Sequence, residues 1–292
     1  MRLPAISALL ACLAWAQGDV VFRSAVSLVR VDAAVSDAGG QIIPGLKKED
    51  FRVSDEGKEQ SIVNFSFERE PLDVILLFDI GGNMHSKLHE LLRAVELGFH
   101  ELRPGDRAAV MAFSGFTSEL APFSANFDSV NQTILLGLLN QHFGGPSKLA
   151  QAADDAALRF RREPNTQRRR AILVIIPANG DKPASRQSEE PAAVRDLWQS
   201  DAVLSELILD RSVPAVDSLV EKSGGTALAT GADPGAAFQE SLRRLRRRYT
   251  LYYALPDGPS GQLRSIHVEL SADAARRFPG ARIAARSGYL AH

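Results

Sequence analysis

Two stretches of the sequence place side chains capable of chemistry directly after long apolar runs. Asp79-Ile80-Gly81-Gly82-Asn83-Met84 follows Val74-Ile75-Leu76-Leu77-Phe78, and Pro177-Ala178-Asn179-Gly180-Asp181 follows Ala171-Ile172-Leu173-Val174-Ile175-Ile176. Short runs that are apolar on both faces are the signature of strands buried in a parallel sheet. In open α/β sheets, ligands bind beyond the carboxyl ends of such strands. Asp79, Gly81, Asn83, Asn179 and Asp181 are therefore the first candidates for a site. A carboxylate at a strand end could serve a hydrolase as nucleophile, with a second carboxylate two residues on as acid and metal support. That second position is Gly81, and the chain has no GxSxG elbow, P-loop or GxGxxG fingerprint. The expectation is a protein that is not an enzyme, with a hydrolase using Asp79 as the remote alternative. The same residues also have structural roles open to them. Asn83 would cap a helix starting near Met84, Asp79 would accept hydrogen bonds from the following turn, and Gly81 and Gly82 would permit that turn. His85 and His89 stand four apart, on one face of that helix. The spacing suits a transition metal, but no HExxH glutamate accompanies them.

The elements that must position these residues follow from periodicity. From Pro71 to Arg248, strand-like and helix-like stretches alternate, which predicts a doubly wound, mostly parallel α/β sheet. Upstream, Val29, Val31, Ala33 and Val35 alternate with Leu28, Arg30, Asp32, Ala34 and Ser36. This is the pattern of a strand with one face packed and the other mostly solvated. Further strands are expected at Gln41–Ile43, Phe51–Val53 and Ile62–Phe67. Downstream, Tyr249–Tyr253, the alternation through Ile266, Val268 and Leu270, and Ile283–Ala285 are again β. The expected organisation is a leader at 1–16, a β segment at 17–70, an α/β domain at 71–248 and a β segment at 249–292. The two β segments are expected to pair as one discontinuous domain.

The chain has 292 residues, 45% of them hydrophobic, and its 34 Lys and Arg nearly balance its 35 Asp and Glu. With a net charge of −1 there is no bulk field to draw nucleic acid, and no nucleic-acid partner is expected. Arg243, Arg244, Arg246, Arg247 and Arg248 read as a solvated basic helix end that complements the helix dipole. The one cysteine, Cys12, excludes disulfide frameworks and cysteine zinc sites. Arg2, the apolar run from Leu3 to Leu13, and Ala14-Trp15-Ala16 form a secretory leader pattern, which predicts export to the periplasm or beyond. Leu9-Leu10-Ala11-Cys12 alternatively resembles a lipobox, and only lipidation at Cys12 would bring the chain to a membrane.

Val74 to Asp79 followed by Gly81-Gly82-Asn83-Met84 resembles the opening of von Willebrand factor A-type (VWA) domains, an apolar strand followed by D-x-S-x-S. Three further segments are similar to the VWFA-related family described from acidobacteria. They are Gly45-Leu46-Lys47-Lys48-Glu49-Asp50-Phe51 with Asp55-Glu56-Gly57-Lys58, then Arg248-Tyr249 with Leu251-Tyr252-Tyr253, and then Arg264, Ile266 and Val268 before Ala285-Arg286-Ser287-Gly288-Tyr289. The resemblance implies a metal-ion-dependent adhesion site for Mg²⁺ or Mn²⁺, a hard cation that takes oxygen ligands in octahedral array. Asp79 matches the family's first Asp, Gly81 and Asn83 replace its two Ser, and Ser147, after Gly144-Gly145-Pro146, aligns with its Thr. The family's second Asp is missing near Pro177 to Asn179. What the resemblance implies is a degenerate site that binds a protein partner, with no cofactor or with weak Mg²⁺ or Mn²⁺ at Asp79, Asn83 and Ser147. Metal-dependent adhesion through a residual site at Asp79 is the alternative.

Overall fold

In the computed structural model, the residues described are 27–81, 84–164, 167–177, 186–211 and 216–291. The leader at 1–16, Cys12, Gly82, Asn83, Asn179 and Asp181 lie outside them. In chain order the first strands are β1 (Leu28–Ser36), β2 (Phe51–Asp55), β3 (Lys58–Gln60) and β4 (Ile62–Phe67). An alternating series follows: β5 (Leu72–Asp79), α1 (Met84–Gly98), β6 (Arg107–Phe113), β7 (Thr117–Ser124), α2 (Phe127–Leu139) and α3 (Leu149–Arg161). It continues with β8 (Arg169–Pro177), α4 (Arg186–Gln199), β9 (Ala202–Leu209), α5 (Ser218–Ser223), β10 (Ala227–Ala229) and α6 (Pro234–Arg246). The chain closes with β11 (Tyr249–Ala254), β12 (Leu263–Leu270), α7 (Ala272–Arg277), β13 (Arg282–Ala285) and β14 (Gly288–Leu290).

The central sheet runs β10-β9-β8-β5-β6-β7 and is parallel except for β7, which is antiparallel to β6. This is the expected doubly wound α/β sheet. The chain leaves β5 towards β6 and β7, then returns to the other side of β5 at β8. The carboxyl ends of β5 and β8 therefore mark the point where strand order reverses. Along β5, Val74, Leu76 and Phe78 join a core with α1, α2 and α6, while Ile75 and Leu77 join one with α3, α4 and α5. Every residue of β5 is buried, which is why its sequence shows no alternation. Gly98 lets α1 meet α6, since a Cβ there would lie 1.9 Å from Phe238 Cδ1.

Two antiparallel four-stranded sheets, β13-β1-β11-β4 and β14-β12-β2-β3, face each other over a third core. Each sheet combines strands from before and after the α/β segment, with Val31 opposite Leu251 and Val53 opposite Val268. Polar side chains fix this sandwich internally. Asp55 is fully buried and accepts hydrogen bonds from Tyr253 Oη (2.8 Å), Tyr289 Oη (2.7 Å) and Arg264 Nε (2.8 Å). Tyr249 Oη donates to Ile43 O (2.8 Å) and accepts from Leu46 N–H (3.0 Å). Asp55, Tyr249, Tyr253, Arg264 and Tyr289 of the terminal motifs are thus parts of buried hydrogen-bond networks. Burial first, and then the bond to Asp55, push the Tyr289 hydroxyl up to about 12.

Four expectations change. Gln41–Ile43 makes a single bridge, Ser36 to Ile42, instead of a strand, because Pro44 and Gly45 stop the pairing. Helix α7 and strand β14 were not anticipated: both are short, and Ala272–Arg277 carries too few apolar residues to show a helical stripe. The second face of β1 is not solvated: Asp32 and Ala34 are buried and Arg30 is partly buried, because this face lies against the α/β segment. The basic helix end is not a solvated face either. Arg246 and Arg248 are buried, Arg243 pairs with Glu101 and Glu240, Arg244 with Glu240, and Arg247 with Glu68.

These last two corrections describe one junction. Arg169, at the start of β8 and 1% exposed, donates to Arg246 O, Arg248 O (3.1 Å), Thr250 Oγ1 (3.0 Å) and Glu70 Oε2 (3.3 Å). Thr250 Oγ1 in turn donates to Asp32 Oδ1 (2.7 Å), and Arg169 Nε lies 3.7 Å from the same oxygen. Arg248 donates to Asp32 O (3.2 Å), Gly224 O (2.6 Å) and Ala284 O (2.9 Å). Burial alone would raise the Asp32 carboxyl, but Arg30, Arg169 and the Thr250 hydroxyl together hold it well below the usual carboxylate range. Burial lowers Arg248 to about 10, so it stays charged at neutral pH. On the other side of the central sheet, Asp154 of α3 faces Asp196 of α4. Burial and then the shared hydrogen bond raise Asp154 to about 7.

Removing one partner of a buried ion pair leaves the other charge uncompensated and costs roughly 3–5 kcal/mol. Asp32→Ala should lower stability by that order, which urea unfolding at pH 7 measures. The Asp154 pair sets the pH response with the opposite sign. Its folded value, about 7, lies above the unfolded value. It therefore contributes stability that is complete only below the unfolded carboxyl value and is lost progressively as pH rises from there to about 7. The parent protein's Tm should fall between pH 5 and pH 7, and Asp154→Asn should flatten that fall, as followed by circular dichroism.

Candidate functional site

Strand β5 delivers Asp79 to the reversal point of the central sheet. Its side chain is 1% exposed. Oδ1 accepts from Gly81 N–H (2.9 Å) and Oδ2 accepts from Ser147 Oγ–H (2.7 Å). Three loops are stitched around it by main-chain bonds. Ile80 N–H donates to Phe113 O (2.8 Å), carrying the β5–β6 ladder one residue past β5. Gly144 N–H donates to Ile80 O (2.9 Å), and Lys148 N–H to Ser114 O (3.1 Å). Gly144 and Gly145 have φ of 109° and 83°, a left-handed region open to Gly with little strain. Their turn brings Ser147 back onto Asp79.

Gly81 is required by close approach. A Cβ there would sit 3.0 Å from Asp79 Oδ1 and 3.1 Å from Gly145 O. A side chain at this position would crowd both, and the Asp79 carboxylate and the Gly145 carbonyl would have to give by a few tenths of an ångström. Gly81 stands where the family resemblance implies a Ser, and its lack of a side chain leaves room for the Gly145 carbonyl.

Of the residues singled out from sequence, the structure brings Asp79, Gly81 and Ser147 together. Asn83, Asn179 and Asp181 lie outside the described residues, as does the side chain of His89. His85 is exposed, its ring edge-on to Phe143 at 5.2 Å. Among the described residues no group of three or more His, Cys, Asp or Glu side chains could hold a metal ion. The described donors at Asp79 are one carboxylate and one hydroxyl, bonded to each other. A hard divalent cation demands six oxygens in near-octahedral array, and this pair falls short of such a shell.

The surface around Asp79 carries what sequence reasoning missed. Phe116, at the turn between β6 and β7, is 71% exposed. Its carbonyl accepts from Ser114 N–H (3.1 Å), so the ring stands on a tight turn beside the Ser147 loop. Lys148, Gly145 and Pro146 are exposed next to it. The available signal was Ser114-Gly115-Phe116, a turn sequence with a large apolar residue that no strand or helix pattern needs. At the carboxyl end of β9, Lys87, Asp210, Arg211 and Thr230 line a further opening of about 300 Å³. Among the described residues no helix is long and apolar enough to cross a membrane.

A family model described as von Willebrand factor type A domain matches residues 74–178. No curated protein sequence matches the chain. Among solved structures, a von Willebrand factor type A protein from Catenulispora acidiphila is similar at 11% identity, covering 92% of this chain and 75% of that one, with a TM-score of 0.48. An aerotolerance-related membrane protein from Bacteroides fragilis shares 14% identity over 60% of this chain and 98% of its own, with a TM-score of 0.47. The manganese-loaded TRAP protein of Plasmodium vivax shares 11% identity over 82% and 98%, with a TM-score of 0.47. The family match starts inside β5 and ends one residue past β8, so it spans both strands of the reversal point and the three loops that enclose Asp79. The chain carries a von Willebrand factor type A domain, and residues 74–178 are the part of it that the family match spans.

Proposed function

We propose that the protein is an exported binding module whose VWA domain meets a protein partner at the carboxyl end of the central sheet, without requiring a metal ion. VWA domains are typically modules of protein interaction and adhesion. The observation that carries the reading here is the pairing of an internally bonded Asp79 with a protruding Phe116. Both Asp79 oxygens already accept hydrogen bonds from the protein, while Phe116 offers an exposed aromatic on a tight turn, the residue type that dominates interface energetics. The same burial and bonding argue against Asp79 as a nucleophile, which would need access to a substrate. Metal-dependent adhesion is the alternative reading; it would need oxygens from Asn83, water and the partner to complete the shell around Asp79 and Ser147.

Export rests on the leader pattern of residues 1–16, with processing after Ala16 and Gln17 as the first residue of the mature chain. The N-terminal peptide mass of protein recovered from the periplasm or medium checks it. A mature chain starting at a lipidated Cys12 would replace this reading with a membrane-anchored one.

The binding surface is tested by capturing partners from the exported fraction of the source cells and measuring the affinity of the captured protein. Phe116→Ala should weaken binding by about tenfold or more, the scale of an interface hot spot, with Tm unchanged. Addition of a chelator should leave the affinity of the parent protein unaltered. A chelator-sensitive affinity that is also lost in Asp79→Ala would establish the metal-dependent alternative instead.

A further inference from the structure

A second surface lies far along the sheet from Asp79, where the VWA sheet and the sandwich both end in open strand edges. Strand β10 is the last strand of the central sheet and β13 the last of its own sheet. Between them runs a groove of about 690 Å³, within the size range of ligand-binding clefts.

Hydrogen-bond direction shows which main-chain groups face this groove. Glu206 N–H donates to Thr226 O and Thr230 N–H to Ile208 O. In a parallel ladder this directs the groups of Leu228 towards β9 and turns the N–H and C=O of Ala227 and Ala229 outward. On the other wall, Val35 O accepts from Ile43 N–H and so faces away from β13. Ala34 and Ser36 then present their groups to Ala284 and Arg282, which leaves those of Ile283 on the open side. Near Ala285 the edge is closed by Gly224, whose Cβ position lies 2.4 Å from Ala285 C. The opening is thus limited to the stretch around Ile283 and Ala227.

The charges lining the groove are mostly of one sign. Arg244, Arg282 and Arg286 face a single acid, Glu221. Arg244 is held by Glu240 and Arg286 by Asp201, so both are fixed in place. Arg282 is exposed and makes no ion pair among the described residues. The accessible apolar part of the lining comes from exposed Val216 and from Ile42 and Ile283, both partly exposed.

We propose that this groove binds an extended, acidic segment of another protein by strand addition, with the partner's main chain bonding to the open edges at Ala227 and Ile283 and its carboxylates meeting Arg282. Main-chain pairing supplies affinity in such complexes, and alternate side chains supply selectivity. An acidic segment matches the Arg excess, and its β-branched residues would fill the apolar side. This surface is separate from the one at Asp79 and Phe116 and does not depend on it.

The test uses a fluorescein-labelled hexapeptide of alternating Glu and Val, with a Lys-Val peptide as control, and reads fluorescence anisotropy on the full chain. The Glu-Val peptide should bind and the control should not. Arg282→Glu should weaken binding by about tenfold, since it removes a charge-assisted contact. Ala227→Pro deletes one outward N–H while leaving the bonds to β9, and it should weaken binding similarly with Tm retained. Phe116→Ala should leave peptide affinity unchanged, which keeps this test independent of the other surface. Hydrogen exchange on the free protein reads the groove directly. Fast exchange at Ala227 and Ile283 that slows on adding peptide supports the proposal. Slow exchange in the free monomer would mean the chain covers its own groove, and slowing only at high protein concentration would mean a second copy does; either result overturns it. Equal binding of the two peptides, or binding indifferent to both Arg282→Glu and Ala227→Pro, overturns it as well.

Discussion

The architecture depends on a buried set of charges where the sandwich meets the central sheet. Arg169 begins a core strand of the VWA domain, Asp32 lies on the first strand of the sandwich, and Arg248 stands between α6 and β11. Charges out of water need partners: Arg169 donates to two carbonyls, a hydroxyl and Glu70, and Arg248 to three carbonyls drawn from both sides of the junction. Directional bonds of this kind admit one relative orientation, whereas an apolar contact of equal area could slide. Gly224 is part of the same arrangement: its left-handed conformation caps α5, and its carbonyl accepts from Arg248. The position of β10, and the groove beside it, follow from this one joint.

At the other end of the sheet the governing constraint is closeness. Asp79 keeps its place because Gly81 leaves room for the Gly145 carbonyl and because Ser147 donates inward. The loops are held to one another by main-chain bonds, so the exposed side chains of Phe116 and Lys148 project from a stiff frame. A surface made this way needs little backbone ordering at the moment of contact, which favours affinity per unit area.

Much of the fold was legible in the sequence. The two-sided apolar runs of β5 and β8 announced a parallel sheet, and the alternation in β1, β11 and β12 announced antiparallel strands. The motif letters Asp55, Tyr253, Arg264 and Tyr289 were visible, but their meeting on one buried carboxylate was not, since it joins residues from opposite ends of the chain. For the same reason Arg30, Asp32 and the arginines after Leu245 read as solvated: a local pattern cannot report a face covered by a distant segment. At the candidate site, Asp79, Gly81 and Ser147 could be placed from the strand end and the family likeness. Phe116 could not, because exposure of a single aromatic is a property of the turn that carries it.

The sandwich is assembled from the two flanks of an inserted domain, and this has a consequence for how the chain reaches its final state. Strand β1 pairs with β11 and β13, and β2 pairs with β12, all of which are made after the whole VWA domain. Whichever route the chain emerges from, β1 comes out first and must wait for the whole α/β segment before β11 is available. The VWA sheet, whose contacts are nearer in sequence, can form in that interval; the sandwich cannot. Closure of long-range strand pairs is slow in any case, so the last event in folding is the return of the final strands to the first ones, with the buried arginines locking as they arrive.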